Sequence, residues 1–478
     1  MKKLTNSKFT FLIVVLFFST IFSCENHPPN INLLNNDILT HESKEQIGIP
    51  GERTCFWLRG PHSKDPYINI AYPDAGVFYW NSMFTIPKGA KLELEGEFPH
   101  SRYMSLISYN EFGQPIESLA DYLIVPDEGS VNPFIVGAER NNPNRKYTIE
   151  VASSQPKVRK KEGIRLSPSP QLEGQKLEQQ IFNTIHAPAY DPGQQSLLYR
   201  IYVPDQAYPV TGGVKLPEPV LTLADGRVLR GEDACKVLDT KQPLYISPSA
   251  VSVPMKKYHE LVNLPDKPYA HPATNPPTWF IQYDRAFLLG IYSGQMPESA
   301  RKSTGGFYPN LDNNYVRAII NRKHGKVFVL RGKLPQTPKT LNGEEKMTAG
   351  QLVYWSLCSN QGFANTRVND CLFDEQVPVN DKGEYVIAIS RVADRPRNAY
   401  SECGIGWLPM ADDGDGALDE DVTVIQIRNM LASPDFKEAI QNVIEIGTEK
   451  EVMGAYLPDC FYVTPGAFET FFPCMLKE

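Results

Sequence analysis

Leu94-Glu95-Gly96-Glu97-Phe98-Pro99 and Leu330-Arg331-Gly332-Lys333-Leu334-Pro335 are the two stretches whose comparison decides the fold. Each closes an alternating apolar segment, Leu92 and Leu94 in one and Val327 and Val329 in the other, so each reads as a half-buried strand. Gly-x-Phe/Leu-Pro then ends the strand with turn residues. Four further blocks recur in the same order. Tyr103-Met104-Ser105-Leu106-Ile107-Ser108 is matched by Tyr354-Trp355-Ser356-Leu357-Cys358-Ser359, and Asp121-Tyr122-Leu123-Ile124 by Asp370-Cys371-Leu372-Phe373. Tyr147-Thr148-Ile149-Glu150-Val151 is matched by Tyr385-Val386-Ile387-Ala388-Ile389, and Leu198-Tyr199-Arg200-Ile201-Tyr202 by Gln426-Ile427-Arg428-Asn429-Met430. Shared β-rich composition explains one such match; five in one order mark an internal duplication.

Working outward, the chain is expected to be mainly β, with two related antiparallel β-sandwich or jelly-roll-like units, a Pro-rich middle segment and few short helices. The 40 Pro, 23 Tyr and 23 Phe among 478 residues agree with short strands and many turns, and exclude a long coiled coil or helical bundle. Asn380-Asp381-Lys382-Gly383 is hairpin-turn chemistry before the Tyr385 strand. The expected division is a first unit over 51–205, the Pro-rich middle over 206–320 and a second unit over 321–478. The middle holds Lys215-Leu216-Pro217-Glu218-Pro219 and Asn275-Pro276-Pro277-Thr278-Trp279, and its apolar residues require burial. A C-terminal helix is predicted from Ser433-Pro434-Asp435, which supplies an N-cap, a first-turn Pro and an acid at the positive end. A shorter one is predicted over 255–262.

Residues 1–23 read as a secretion signal, with Lys2, Lys3 and Lys8 before an apolar stretch from Phe9 to Phe22. It ends Ile21-Phe22-Ser23-Cys24, which resembles the lipobox of bacterial lipoproteins. That resemblance implies acylation of Cys24, palmitate among the acyl chains, a tether over 24–50 and membrane partnership through the lipid. Glu25 after the Cys implies the outer membrane by the same resemblance. Without those three lysines, 45 basic residues face 55 acidic ones, a formal net charge of −10. Such a balance excludes a nucleic-acid partner. The one basic run, Lys157-Val158-Arg159-Lys160-Lys161, reads as a solvated loop. Export also permits disulfides among Cys55, Cys235, Cys358, Cys371, Cys403, Cys460 and Cys474. The pairings expected are Cys358 with Cys371, Cys460 with Cys474, and Cys55 with Cys235, leaving one thiol over.

Tyr354-Trp355-Ser356, Gly383-Glu384-Tyr385-Val386-Ile387-Ala388-Ile389-Ser390, Gly406-Trp407-Leu408-Pro409 and the Arg428 strand together resemble a domain of unknown function in exported bacterial proteins. The whole mature chain resembles uncharacterised bacterial proteins that share Phe98-Pro99-His100, Arg102-Tyr103-Met104-Ser105, and Pro126-Asp127 with Gly129-Ser130 and Asn132-Pro133-Phe134. The resemblance implies a β-sandwich architecture and no established reaction. Gly406 stands where the domain pattern has Asn, and the first unit lacks Trp-Leu-Pro.

Several clusters are candidates for chemistry. His100 and Arg102, at a strand end, suit an anionic ligand or acid/base work. Asp121, Asp127, Ser130 and Asn132 surround a turn of the kind that holds ligands or cations. Arg200 and Arg428, inside apolar strands, must be paired if buried, with Asp121 and Asp370 as the expected structural partners. Asp413, Asp415 and Asp419 occupy positions 3, 5 and 9 of a calcium loop, with Ala411 and Val422 wrong at its ends, so Ca²⁺ is a weak expectation. Trp57, Tyr67, Tyr72, Phe78, Tyr79 and Trp80, with His62 near them, are either core or a sugar-stacking face. No Gly-x-Ser-x-Gly, Walker loop, dinucleotide fingerprint or His-Glu-x-x-His occurs. The reading these features favour is a lipid-anchored envelope protein that binds a small molecule, a glycan or an envelope protein. A hydrolase centred on His100, Arg102 and Asp127 is the alternative, and a structural envelope component the third.

Overall fold

Strand β3 (Lys91–Glu97) shows the alternation of burial expected at Leu92 and Leu94, and β6 (Lys146–Ala152) beside it does the same. The computed structural model describes residues 52–65, 68–156, 183–267, 269–282, 285–293 and 306–474. The signal, Cys24, the tether and the basic run at 157–161 lie outside these. The chain is mainly β, and its two units are built alike. In the first, β1 (Arg59–His62), β2 (Val77–Phe84), β8 (Gln195–Pro204), β4 (Ser101–Tyr109) and β5 (Pro115–Ala120) form one sheet in the order β1-β2-β8-β4-β5. The other sheet, β10-β9-β3-β6-β7, adds β7 (Thr184–His186), β9 (Glu218–Thr222) and β10 (Val228–Arg230). In the second unit, β11 (Phe280–Ile281), β12 (Asn313–Asn321), β14 (Tyr354–Asn360), β15 (Val368–Phe373) and β18 (Val422–Met430) form β11-β12-β18-β14-β15. Its partner is β17-β16-β13-β19, from β13 (Val327–Lys333), β16 (Glu384–Ser390), β17 (Ile405–Pro409) and β19 (Asp459–Val463).

The duplication extends to register. Gly96 lies opposite Tyr147 in one unit, and Gly332 opposite Tyr385 in the other. Tyr79, Arg200 and Ser105 form one cross-strand row, and Tyr315, Arg428 and Ser356 the equivalent row. Strand pairs are antiparallel except β6 with β7 and β16 with β17, which are parallel in both units. Strands β4, β14 and β18 are buried at every residue, and β8 at all but its last. One-sided alternation fails there because each inner sheet is covered twice. One face packs on its own sandwich core and the other meets the inner sheet of the opposite unit. The rings of Tyr202 and Tyr354 cross that interface 5.2 Å apart.

Four sequence expectations are corrected. The third repeat block is out by four residues: Asp374, not Asp370, is the equivalent of Asp121. Asp121 Oδ2 accepts from Met104 N and Asp374 Oδ2 from Trp355 N, and both residues open a 3-10 turn after an edge strand. The Pro-rich middle, expected as a segment of its own, is divided between the two cores. Leu221, Ala234, Cys235 and Leu238 belong to the first core, whereas Trp279, Ile281 and Val316 belong to the second. The helix expected at Ser433 is a turn followed by a short 3-10 segment, Ile440–Asn442, because Phe436, Ala439, Ile440 and Val443 are drawn into the second core. The C-terminal α-helices are Glu449–Met453 and Pro465–Phe471, while the helix Met255–Val262 forms as predicted. Cys55 bonds Cys235 and Cys358 bonds Cys371, but Cys474 bonds Cys403. Among the described residues Cys460 is the free thiol, held in the sheet by β19, and burial pushes it up to about 12.

Candidate functional site

Each unit sends an arm across to the other before its β2 or β12 strand begins. The arms read Ala71-Tyr72-Pro73-Asp74 and Phe307-Tyr308-Pro309-Asn310. Tyr72 and Tyr308 both sit in the left-handed region, at φ 53° and 41°, a costly conformation for a bulky residue that clusters at functional positions. Asp74 Oδ1 accepts from Gly76 N at 3.0 Å and Asn310 Oδ1 from Asp312 N at 2.9 Å, so the two turns are equivalent. Arg428 Nη2 donates to Tyr72 O at 2.9 Å, and Arg200 Nη2 donates to Tyr308 O at 2.8 Å. The arginine of each unit is thus tied to the arm of the other, about a pseudo-twofold axis.

Around that axis lies a cavity of about 160 Å³. Its first-unit wall includes Tyr79, Asn81, Met83, Leu198, Arg200 and Tyr202, residues that share one face of β2 and β8. Its second-unit wall includes Asn313, Tyr315, Arg317, Gln426 and Arg428 from β12 and β18. Ile70, Leu244, Ile246 and Val251 add apolar surface, and Arg59 and His62 come from the edge strand β1. Among the described lining residues there are four arginines and no Asp or Glu.

The electrostatics are uneven. Burial opposes the charge of Arg428, but Asp74 Oδ2 at 2.9 Å, together with Tyr79, Tyr315 and Tyr354, more than offsets it and raises the guanidinium above its usual range. Asp74 also accepts from Ser356 Oγ at 2.6 Å. Among the described residues Arg200 and Arg317 have no carboxylate, although burial of Arg200 is outweighed by the surrounding tyrosines, Tyr109 foremost, which together raise it above its usual range. Nε and Nη1 of both are buried without a hydrogen-bond partner. Arg200 also donates to the Tyr109 hydroxyl, and Arg317 lies 4.5 Å over the Tyr72 ring. Burial pushes Arg317 down to about 10, still cationic at neutral pH. Burial, then Arg53 and Arg59, push His62 down to about 3, so its imidazole is neutral, and its Nε2 is unpartnered. Asn81 Oδ1 and Gln426 Oε1 are likewise unsatisfied. Buried polar groups are normally paired, and unpaired buried cations are costly. Such a concentration in one cavity makes it the candidate site.

His62 is the candidate from the sequence that the structure brings to this cavity, with Arg200 and Arg428 in a different role from the one expected. Arg200 does not meet Asp121, and Arg428 pairs with Asp74 while Asp370 pairs with exposed Lys64. Asp121 instead accepts from Met104 N and Tyr122 N, and burial raises its carboxyl well above the usual range. The His100, Arg102 and Asp127 group is dispersed. Arg102 is fully buried and donates to Asp374 at 2.6 and 2.7 Å and to Glu375, joining the two units. His100 stacks on Tyr208 at 4.5 Å beside Arg145, and burial with Arg145 and Arg140 holds it at about 4. Asp127 accepts from Thr148 Oγ1, Ser130 N closes a turn onto Asp127 O, and Asn132 Nδ2 donates to the carbonyls of Asp121 and Ile124. These residues shape a corner of the first unit.

Asp413, Asp415 and Asp419 do not converge on a cation. Asp415 Oδ1 accepts from the backbone of Ala417, Leu418 and Asp419, and its Oδ2 from the Tyr258 hydroxyl. Asp413 accepts from Gln361 Nε2, and Asp419 from Asp421 N. Among the described residues, Asp74, Cys358 and Cys371 form the grouping with ligand atoms close enough for a metal, and its cysteines are bonded to each other. Trp57 and Trp80 are core residues, whereas Tyr72 and Tyr79 face the cavity. Sequence reasoning missed Arg317, Asn313 and Gln426, and it missed the two arms. A signal was present: Tyr-Pro-Asp and Tyr-Pro-Asn each stand seven residues before the cavity tyrosines Tyr79 and Tyr315.

No family model matches the chain, and no curated protein matches it in sequence. Among solved structures, it is similar to an uncharacterised protein from Burkholderia cenocepacia, with a TM-score of 0.45, 11% identity, and 91% of this chain and 88% of that one covered. It is also similar to the VPA0106 protein from Vibrio parahaemolyticus, with a TM-score of 0.37, 10% identity, and 82% and 90% covered.

Proposed function

We propose that the chain is a lipid-anchored cell-envelope protein whose two units together bind a small organic anion. The observation that carries the reading is the pair Arg200 and Arg317. Both are buried cations without a carboxylate among the described residues, and both have unpartnered N–H groups in one cavity. An anion supplies what the protein withholds, in surroundings where a charge-assisted hydrogen bond is strong. Met83, Leu198, Leu244 and Ile246 suit an apolar body. The cavity is comparable in size with one of roughly 150 Å³ that holds benzene. Three disulfides support the export read from residues 1–24, since such bonds persist in oxidising compartments. Anchorage through Cys24 at the outer membrane, and kinship with the exported proteins that carry the aromatic-Trp-Ser and Trp-Leu-Pro signature, belong to the same proposal.

The test is calorimetry on the full chain in detergent, titrated with benzoate and with its neutral isostere benzamide. Saturable one-to-one binding of benzoate is expected, at least roughly tenfold tighter than benzamide, because only the anion neutralises a buried guanidinium. Equal affinity for the two, or no binding of either, would overturn the reading.

A further inference from the structure

We infer that the ligand is a dianion with two separated negative groups, one held by Arg200 of the first unit and one by Arg317 of the second. The inference rests on reading the cavity as an anion site, and it follows from where the duplication has lost its symmetry. Arg200 and Arg428 occupy the same register position, each flanked by a Tyr and a Ser on neighbouring strands. Asp74 and Asn310 occupy the same position in the two arms. The arm of the first unit therefore brings a carboxylate to Arg428, at 2.9 Å. The arm of the second unit brings an amide, whose Nδ2 donates to the Tyr202 hydroxyl at 3.2 Å, and leaves Arg200 uncompensated.

A second break lies one step along the same face. Asn81 of β2 corresponds to Arg317 of β12, since Tyr79 corresponds to Tyr315. The second unit has gained a cation there and no acid to meet it. Leu198 likewise corresponds to Gln426. Asp for Asn in one arm and Asn for Arg in one strand thus leave two uncompensated guanidinium groups, one on each side of the axis. Arg59 stands outside the matched rows, on the edge strand β1 opposite Asn81, and its Nη2 donates to the Gln242 carbonyl. His62 adds no charge at neutral pH. A monoanion neutralises one of the two cations and leaves the other buried without a negative charge; two separated negative groups satisfy both. The apolar residues in the same lining and the size of the cavity call for a body of about the size of a benzene ring.

Four probes on the full chain in detergent separate the outcomes: benzoate, isophthalate, terephthalate and phenyl phosphate. One of the two dicarboxylates is expected to bind at least roughly tenfold tighter than benzoate. Arg317→Gln and Arg200→Gln are each expected to bring that dicarboxylate down to the affinity of benzoate, and Arg317→Lys to keep part of the preference. Circular dichroism and melting of each variant show whether it has folded, and Arg317→Gln carries the test if Arg200→Gln has not. If benzoate binds as tightly as both dicarboxylates, the inference is wrong while the anion site stands. If phenyl phosphate alone exceeds benzoate, one doubly charged head is held and the inference is again overturned. If none of the four binds, the reading of the cavity itself falls.

Discussion

Arg317 shows what a single side chain reveals about this protein. It is 3% exposed, it has no acid, and the Tyr72 ring at 4.5 Å offsets only part of its desolvation. Replacing even a buried ion pair by apolar side chains of similar volume is often neutral or stabilising, by about 1–4 kcal/mol, and a buried charge without its partner is costlier still. Arg317→Met is therefore expected to raise the melting temperature of the ligand-free protein and to abolish the melting shift produced by added organic acids. A variant that melts lower than the parent would show that Arg317 is held for structure and not for a ligand. Sequence reasoning recognised that Arg200 and Arg428, inside apolar strands, must be paired if buried. It assigned them the wrong partners, because Asp74 and the Tyr308 carbonyl are distant in sequence and arrive only when the two units meet.

Among the elements, the outer sheets were the most legible. Strands β3 and β6 alternate because one face meets water, and their pairing places Gly96 against Tyr147 as Gly332 meets Tyr385. The glycine is required in both: a Cβ at Gly96 would lie 2.6 Å from the Tyr147 ring, and one at Gly332 would lie 2.8 Å from the Tyr385 hydroxyl. Gly96→Ala is expected to lower stability by about 1–3 kcal/mol in urea denaturation, as overpacking does, while leaving organic-anion affinity within roughly twofold. An unchanged midpoint would mean that the Tyr147 ring moves aside freely. The inner strands were less legible, since burial on both faces removes the alternation that reports orientation. The same loss of pattern let the third repeat block slip from Asp374 to Asp370. The predicted helix at Ser433 had correct cap chemistry, but packing of Phe436 and Ile440 into the second core overrode it.

For the whole molecule, the two units act as one because charged groups cross between them. Arg102 on β4 meets Asp374 and Glu375 of the second unit, and Tyr103 donates to Asp312 at 2.6 Å. Removing one member of such a buried ion pair typically costs about 3–5 kcal/mol, so the cavity depends on an interface that the units cannot easily leave. The proposed anchor is a property of the same scale. Cys24→Ser is expected to move the protein from the membrane pellet to the soluble fraction, since the acyl chains supply roughly 0.8 kcal/mol of membrane affinity per buried methylene. Continued tight association after that change would sink the lipoprotein proposal. Among the described residues, no helix is long and apolar enough to cross a membrane.

The sequence by itself determined the β class, the duplication, two of the three disulfides and the acidic balance. These depend on local periodicity, turn chemistry and repeated spacing, which are written along one stretch of chain. Only the tertiary structure decided the site. Tyr72, Arg200, Arg317 and Arg428 are far apart in sequence, and each has an innocent local reading as an aromatic or a strand cation. They become a cationic cavity because duplicated sheets pack face to face, so that each unit covers the arginine of the other while the acid that would balance Arg200 is an asparagine, Asn310.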